Sequence, residues 1–103
     1  MYTDKKVELA LATLTQRKKH TKCLEMRSIL STLGFEVRDG KRGGHKIATH
    51  AGIIDFTSTS YNCGHGKNPT IKPAYVANII DVIDAYSLDI TIFLQQDAPR
   101  RRP

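Results

Sequence analysis

The sequence predicts an α+β domain with element order α-α-β-β-β-α, in which a three-stranded antiparallel sheet is packed by helices. Three observations carry this prediction. Apolar residues recur at i, i+3, i+4, i+7 spacing in three stretches. Between the second and third stretch lie short strand-like pieces separated by glycine-containing turns. The length, 103 residues, is one domain's worth and supports one modest core.

Val7, Ala10, Leu11 and Leu14 form the first stripe, so a helix is expected over about residues 4–15, with Thr3 or Asp4 as its N-cap. RKKHT (17–21) reads as a charged connector. Met26, Ile29, Leu30 and Leu33 make the second helix, and Gly34 ends it. A glycine in the left-handed conformation there would fold Phe35 back on Leu30. FEVR (35–38), KIATH (46–50) and IIDFTS (53–58) are the three strands, joined by DGKRGG (39–44) and by the Ala51-Gly52 turn. Alternation puts His45 on the face of Ile47, which reads as the core face. Val76, Ile79, Ile80 and Ile83 mark the last helix, with Pro73 near its start.

Residues 87–96, SLDITIFLQQ, stay open. Leu88, Ile90, Ile92 and Leu94 alternate like a strand, yet no glycine or proline separates them from the preceding helix. This segment either packs back on the core or pairs with a second copy of the chain. PRRRP (99–103) is expected to be disordered. The organisation is thus an N-terminal helix and basic connector (1–23), an α-β-β-β-α unit (24–86) and a C-terminal extension with a basic tail (87–103).

Composition narrows the function. No window approaches ~18 consecutive apolar residues, and the N-terminus lacks the apolar run of a signal peptide, so a cytoplasmic protein away from membranes is expected. Sixteen Lys plus Arg against ten Asp plus Glu give a net charge of +6. The excess is clustered in RKKHTK (17–22), RDGKRGGHK (38–46) and RRR (100–102), which suits a polyanion such as RNA but also a solvated basic face. Cys23 and Cys63 form no C-x-x-C pair and read as reduced thiols. Cys63, His65, His45 and His50 have the spacing of no zinc finger or ribbon, so no metal and no cofactor are expected. His20 and His50 read as surface residues.

Helices on one face of an antiparallel sheet are the arrangement of a double-stranded RNA-binding domain. The run LGFEVRDGKRGGHKIATH, followed by a strand and by HGKNPTIKPAYVANII, resembles the HicA family of toxin mRNA interferases from about Leu24 to Ala85. The resemblance implies a metal-independent endoribonuclease of a type II toxin–antitoxin system, inhibited by a HicB-like antitoxin. It places the family's G-x-H histidine on His45, its H-G segment on His65-Gly66 and its K-P segment on Lys72-Pro73. Where family members often carry a second histidine and an aromatic residue, this chain has Lys46 and Ala48, which removes a stacking surface for a base.

Imidazole chemistry gives His45 a role independent of the resemblance. Its ordinary pKa near 6.5 lets a histidine take a proton from a ribose 2′-hydroxyl or give one to a leaving oxygen. Gly43 and Gly44 would let a phosphate approach the main chain, and Lys41, Arg42 and Lys46 would offset its charge, with Lys67 and Lys72 extending the RNA surface. His65 is either an accessory catalytic group or part of a glycine-rich turn. His45 itself is either catalytic or a strand-edge histidine bonded to a carbonyl. The alternatives for the whole chain are a non-catalytic RNA-binding module and a protein-interaction module, including a homo-oligomer through residues 87–96.

Overall fold

The computed structural model describes residues 3–100, with side chains through Gln96. Its elements are α1 (Lys5–Gln16), α2 (Cys23–Thr32), β1 (Glu36–Asp39), β2 (His45–Thr49), β3 (Thr59–Asn62), α3 (Pro73–Ala85) and α4 (Ser87–Arg100). The strands form an antiparallel sheet in the order β1-β2-β3. The α+β architecture is therefore the expected one, with a fourth helix added.

Local chemistry explains where the helices start and stop. The Asp4 carboxylate accepts the Lys6 N–H at 2.8 Å and caps α1, satisfying one of the donors that a helix start leaves unpaired. At the end of α2, Gly34 has φ +94°. The Gly34 N–H donates to Ser31 and the Phe35 N–H to Leu30, both at 3.0 Å, and Phe35 is buried beside them. This is the glycine-closed helix end expected from the sequence. Pro73 occupies the first turn of α3, where a missing N–H breaks no helical bond.

One core joins the whole molecule. Val7, Ala10 and Leu14 of α1, Met26 and Leu30 of α2, Val76, Ile79 and Ile83 of α3 and Ile90 of α4 belong to it. Residues 87–96 are helical because Ile90, Phe93 and Leu94, at i, i+3 and i+4, give a stripe that packs inward, while Leu88 and Ile92 stay exposed. Polar contacts hold α4 to the N-terminus. Asp4 N–H donates to Thr91 Oγ1 at 3.0 Å, and Gln95 Nε2 donates to the Asp4 carboxylate at 2.6 Å. Of the tail expected to be disordered, Pro99 and Arg100 are the last residues of α4, and 101–103 lie outside the described residues.

Several expectations are corrected. The third strand is Thr59–Asn62, not 53–58. Residues 50–56 instead form successive turns, with Ile53 N–H donating to His50 and Phe56 N–H to Ile53, both at 3.3 Å. Those turns direct Ile53 and Phe56, three residues apart, onto the core and leave Ile54 98 % exposed. The core face of β2 is also the other one: Ala48 is fully buried and Ile47 only half-buried. A sheet has period two, so reading the wrong face reverses every residue of the strand.

His50 is buried, not a surface residue. Its Nε2 lies 2.9 Å from the Leu33 carbonyl, and its Nδ1 accepts the Gly52 N–H at 3.1 Å. With Nδ1 accepting, Nε2 carries the proton and donates. Phe35 and Phe93 meet the ring edge-on, with centroids 4.8 and 4.7 Å away. Finally, Cys23 and Cys63 are not free thiols but a disulfide, with Cα atoms 5.5 Å apart. It ties the first turn of α2 to the residue that follows β3.

Candidate nucleic-acid interface

The pleat of β2 sends neighbouring residues to opposite sides, so His45 and Lys46 part company at the strand's first two positions. Lys46, Ala48, Val37 and Tyr61 face the helices, as the burial of Ala48 and Tyr61 requires. His45, Ile47, Arg38 and Asn62 occupy the open face. His45 thus lies on the solvent side of the sheet rather than in the core, where its shared parity with Ile47 had pointed.

Backbone bonds fix His45 at the mouth of the β1–β2 hairpin. Its N–H donates to Arg42 at 3.1 Å, and its carbonyl accepts the Gly40 N–H at 2.8 Å. The Nδ1 edge of its ring lies against Gly40, so closely that a side chain at Gly40 would meet it. Nε2 is therefore the nitrogen turned away from the hairpin. No protein side chain or carbonyl hydrogen-bonds the ring among the described residues. Lys41, Arg42 and Gly43 are exposed in the same turn, and Arg38 is exposed on the same face. Arg38 belongs to the basic run RDGKRGGHK (38–46) but was not among the expected RNA-binding residues, because it sits inside the strand rather than in the glycine turn.

The two glycines of the turn have different roles. Nothing lies within 4 Å of a Cβ position at Gly43, so the chain there is open. Gly44, at φ +84°, packs on the loop after β3, where a Cβ would stand 2.5 Å from the Gly64 carbonyl oxygen. Its own carbonyl accepts the Cys63 N–H at 2.7 Å. Gly44 thus joins two loops, which is a sufficient reason for glycine at that position.

The segment carrying His65 is held at both ends. Asn62 Oδ1 accepts the Gly64 N–H at 2.7 Å, Asn68 Oδ1 accepts the Leu24 N–H at 3.0 Å, and Cys23 N–H donates to Pro69 at 2.9 Å. His65 itself is exposed, and no hydrogen bond joins it to His45 among the described residues. Lys72 is the N-cap residue of α3, exposed and ahead of Pro73. It is not part of the second group of cations, the one that lines a cavity.

Lys46 and Lys67 belong to the second group. They line a cavity of about 160 Å³ together with Arg27, Tyr61 and the disulfide. Lys46 Nζ bonds Asp39 Oδ1 at 2.6 Å, and that hydrogen bond and its charge lower the Asp39 pKa below the usual carboxylate value. Arg27 donates to the Val37 carbonyl at 2.7 Å. Tyr61 is 1 % exposed, and burial pushes its phenol from the usual 10 up to about 12, with the Arg27 charge acting in the opposite direction. Sequence reasoning passed over both Arg27 and Tyr61. Arg27 lies four residues after Cys23, on the same helical side, and that spacing was the available signal.

The candidate metal ligands are not brought together. Cys63 is in the disulfide, both nitrogens of His50 are engaged, and no group of three or more His, Cys, Asp or Glu able to hold a metal occurs among the described residues. No helix among them is long and apolar enough to cross a membrane. No family model, no curated protein and no solved structure matches this chain.

Proposed function

We propose that this protein is an endoribonuclease of the HicA-like toxin type, in which His45 moves the proton that lets a ribose 2′-hydroxyl attack the adjacent phosphodiester. The observation that carries the reading is the position of His45. It stands on the open face of the sheet with no hydrogen-bond partner for its ring among the described residues, beside the exposed cations Lys41 and Arg42. The alternative role, a strand-edge ring bonded to a backbone carbonyl, has no such bond among the described residues, whereas His50 bonds the Leu33 carbonyl.

In this mechanism Nε2 of neutral His45 accepts the 2′-hydroxyl proton while the 2′-oxygen bonds to phosphorus. The bond from phosphorus to the 5′-oxygen breaks, leaving a 2′,3′-cyclic phosphate. The leaving oxygen takes a proton from the imidazolium or from water. Lys41, Arg42 and Arg38 offset the charge on the phosphate oxygens. Placement near the working pH suits imidazole to both halves of this exchange.

A HicB-like antitoxin would inhibit the enzyme by covering His45. Self-association through residues 87–96 would rely on Leu88 and Ile92, because Ile90 and Leu94 pack within the chain. The test compares RNA degradation and growth arrest for the wild type and His45→Ala. Loss of both supports the reading, whereas RNA bound by the two proteins alike and recovered intact makes the chain a non-catalytic RNA-binding module.

A further inference from the structure

We infer that the cavity between the start of α2 and the helix-side end of β2 and β3 binds a phosphate group of a nucleic-acid strand. Its charged side chains are donors only. Arg27, Lys46 and Lys67 line it, no carboxylate does among the described residues, and Lys and Arg donate only. Lys46 and Arg27 each have one partner, Asp39 and Val37, and both keep further N–H groups for a ligand.

Tyr61 completes the set. Its side chain is buried, and its hydroxyl has no hydrogen-bond partner among the described residues. A buried hydroxyl left without a partner is costly, and Tyr61 lines a cavity otherwise lined by cations, so an acceptor held there would relieve it. An oxyanion satisfies the phenol and the cations at once, and charge-assisted bonds of this kind are the strong ones.

Size selects among oxyanions. At about 160 Å³ the cavity is well below the ~300 Å³ at which pockets for whole small ligands begin, so it suits a phosphate group rather than a nucleotide. Its rim includes Gly64 and Gly66, where no atom lies within 4 Å of a Cβ position, and the approach is open. The nucleic-acid source of the phosphate rests on the RNA reading above, while the oxyanion chemistry does not. Gly44 forms part of the wall, and the next two residues, His45 and Lys46, face opposite sides of the sheet. A strand passing over the hairpin end would then offer one phosphate to His45 and another to the cavity.

The test titrates the intact protein with inorganic phosphate and with a 2′-O-methyl RNA hexamer, which lacks the attacking hydroxyl, and follows the Gly64 and Gly66 amides by NMR. Both ligands shift these signals if the inference holds, the hexamer at lower concentration. Tyr61→Phe, which removes only the unpartnered hydroxyl, weakens both by about tenfold or more, and Lys67→Ala weakens both as well. His45→Ala keeps phosphate binding, so a failure of the catalytic reading is separable from a failure of this one. Unchanged affinity in a folded Tyr61→Phe protein, or the same shifts with chloride at equal ionic strength, overturns the site. Shifts with inorganic phosphate but none with the hexamer remove the nucleic-acid strand from it.

Discussion

The two histidines that bound strand β2 differ in every contact they make. His50, just past its end, is enclosed by Phe35 and Phe93, and both its nitrogens are bonded to backbone. His45, at its start, is half-exposed on the open face, with its ring against Gly40 and without a hydrogen-bond partner for that ring among the described residues. Five positions apart, they fall on opposite sides of a period-two pleat. One histidine ring is occupied by the fold and the other has no hydrogen-bond partner among the described residues, a division made by the pleat and the hairpin rather than by residue type.

The largest expected break in this comparison is in activity. His45→Ala should lower the rate of RNA cleavage about 10²–10⁴-fold, the usual contribution of a positioned acid or base, with little change in thermal stability. His50→Ala should do the reverse, costing about 1–3 kcal/mol by leaving the Leu33 carbonyl and the Gly52 N–H unpaired, as measured by urea unfolding.

The disulfide comes next. It closes a loop of forty positions between α2 and the end of β3, so Cys23→Ser with Cys63→Ser should cost about 2–4 kcal/mol in the same measurement. The His45 hairpin should keep its strand pairing, because β1–β2 bonds do not depend on the cross-link.

A smaller effect appears at high pH. Tyr61 titrates near 12 in the folded protein and at 10 when unfolded. Between those values only the unfolded chain has lost the proton, so the stabilisation is complete below pH 10 and falls as pH rises towards about 12. An alkaline absorbance titration should show one tyrosine ionising late, together with unfolding, and Tyr61→Phe should remove that component. The smallest effect concerns the turn. Lys41→Ala or Arg42→Ala should each reduce the salt dependence of RNA binding by about one counterion, with the fold unchanged.

Much of the fold was legible because helical stripes and backbone-forcing residues are local signals. Val7, Ala10 and Leu14, the Gly34 helix end and Pro73 all behave as their spacing indicates. What failed depended on tertiary choice. Ile47, the one large apolar residue of β2, suggested its face as the core, but the helices pack on Ala48 and the small side chain is the buried one. The segment 53–58 looked like a strand, and turns deliver Ile53 and Phe56 to the core without one. In 87–96 the alternating set and the helical set share Ile90 and Leu94, so sequence periodicity alone did not separate them.

The candidate site was half legible. G-G-H drew attention to His45, and the clustered charge pointed to Lys41 and Arg42. Strand pairing then moved Lys46 to the other face, beside Tyr61 and Arg27, and no local pattern announces a hydroxyl that lacks a partner. The cysteine pairing was equally hidden, since two cysteines forty positions apart become neighbours only once α2 and β3 are packed.

The most direct test of the central claim is a cleavage assay on purified wild-type and His45→Ala protein with a single-stranded RNA, with folding of both checked by circular dichroism. The account predicts fragments ending in 2′,3′-cyclic phosphate from the wild type, formed about 10²–10⁴-fold more slowly by His45→Ala. Equal cleavage by the two folded proteins would contradict it.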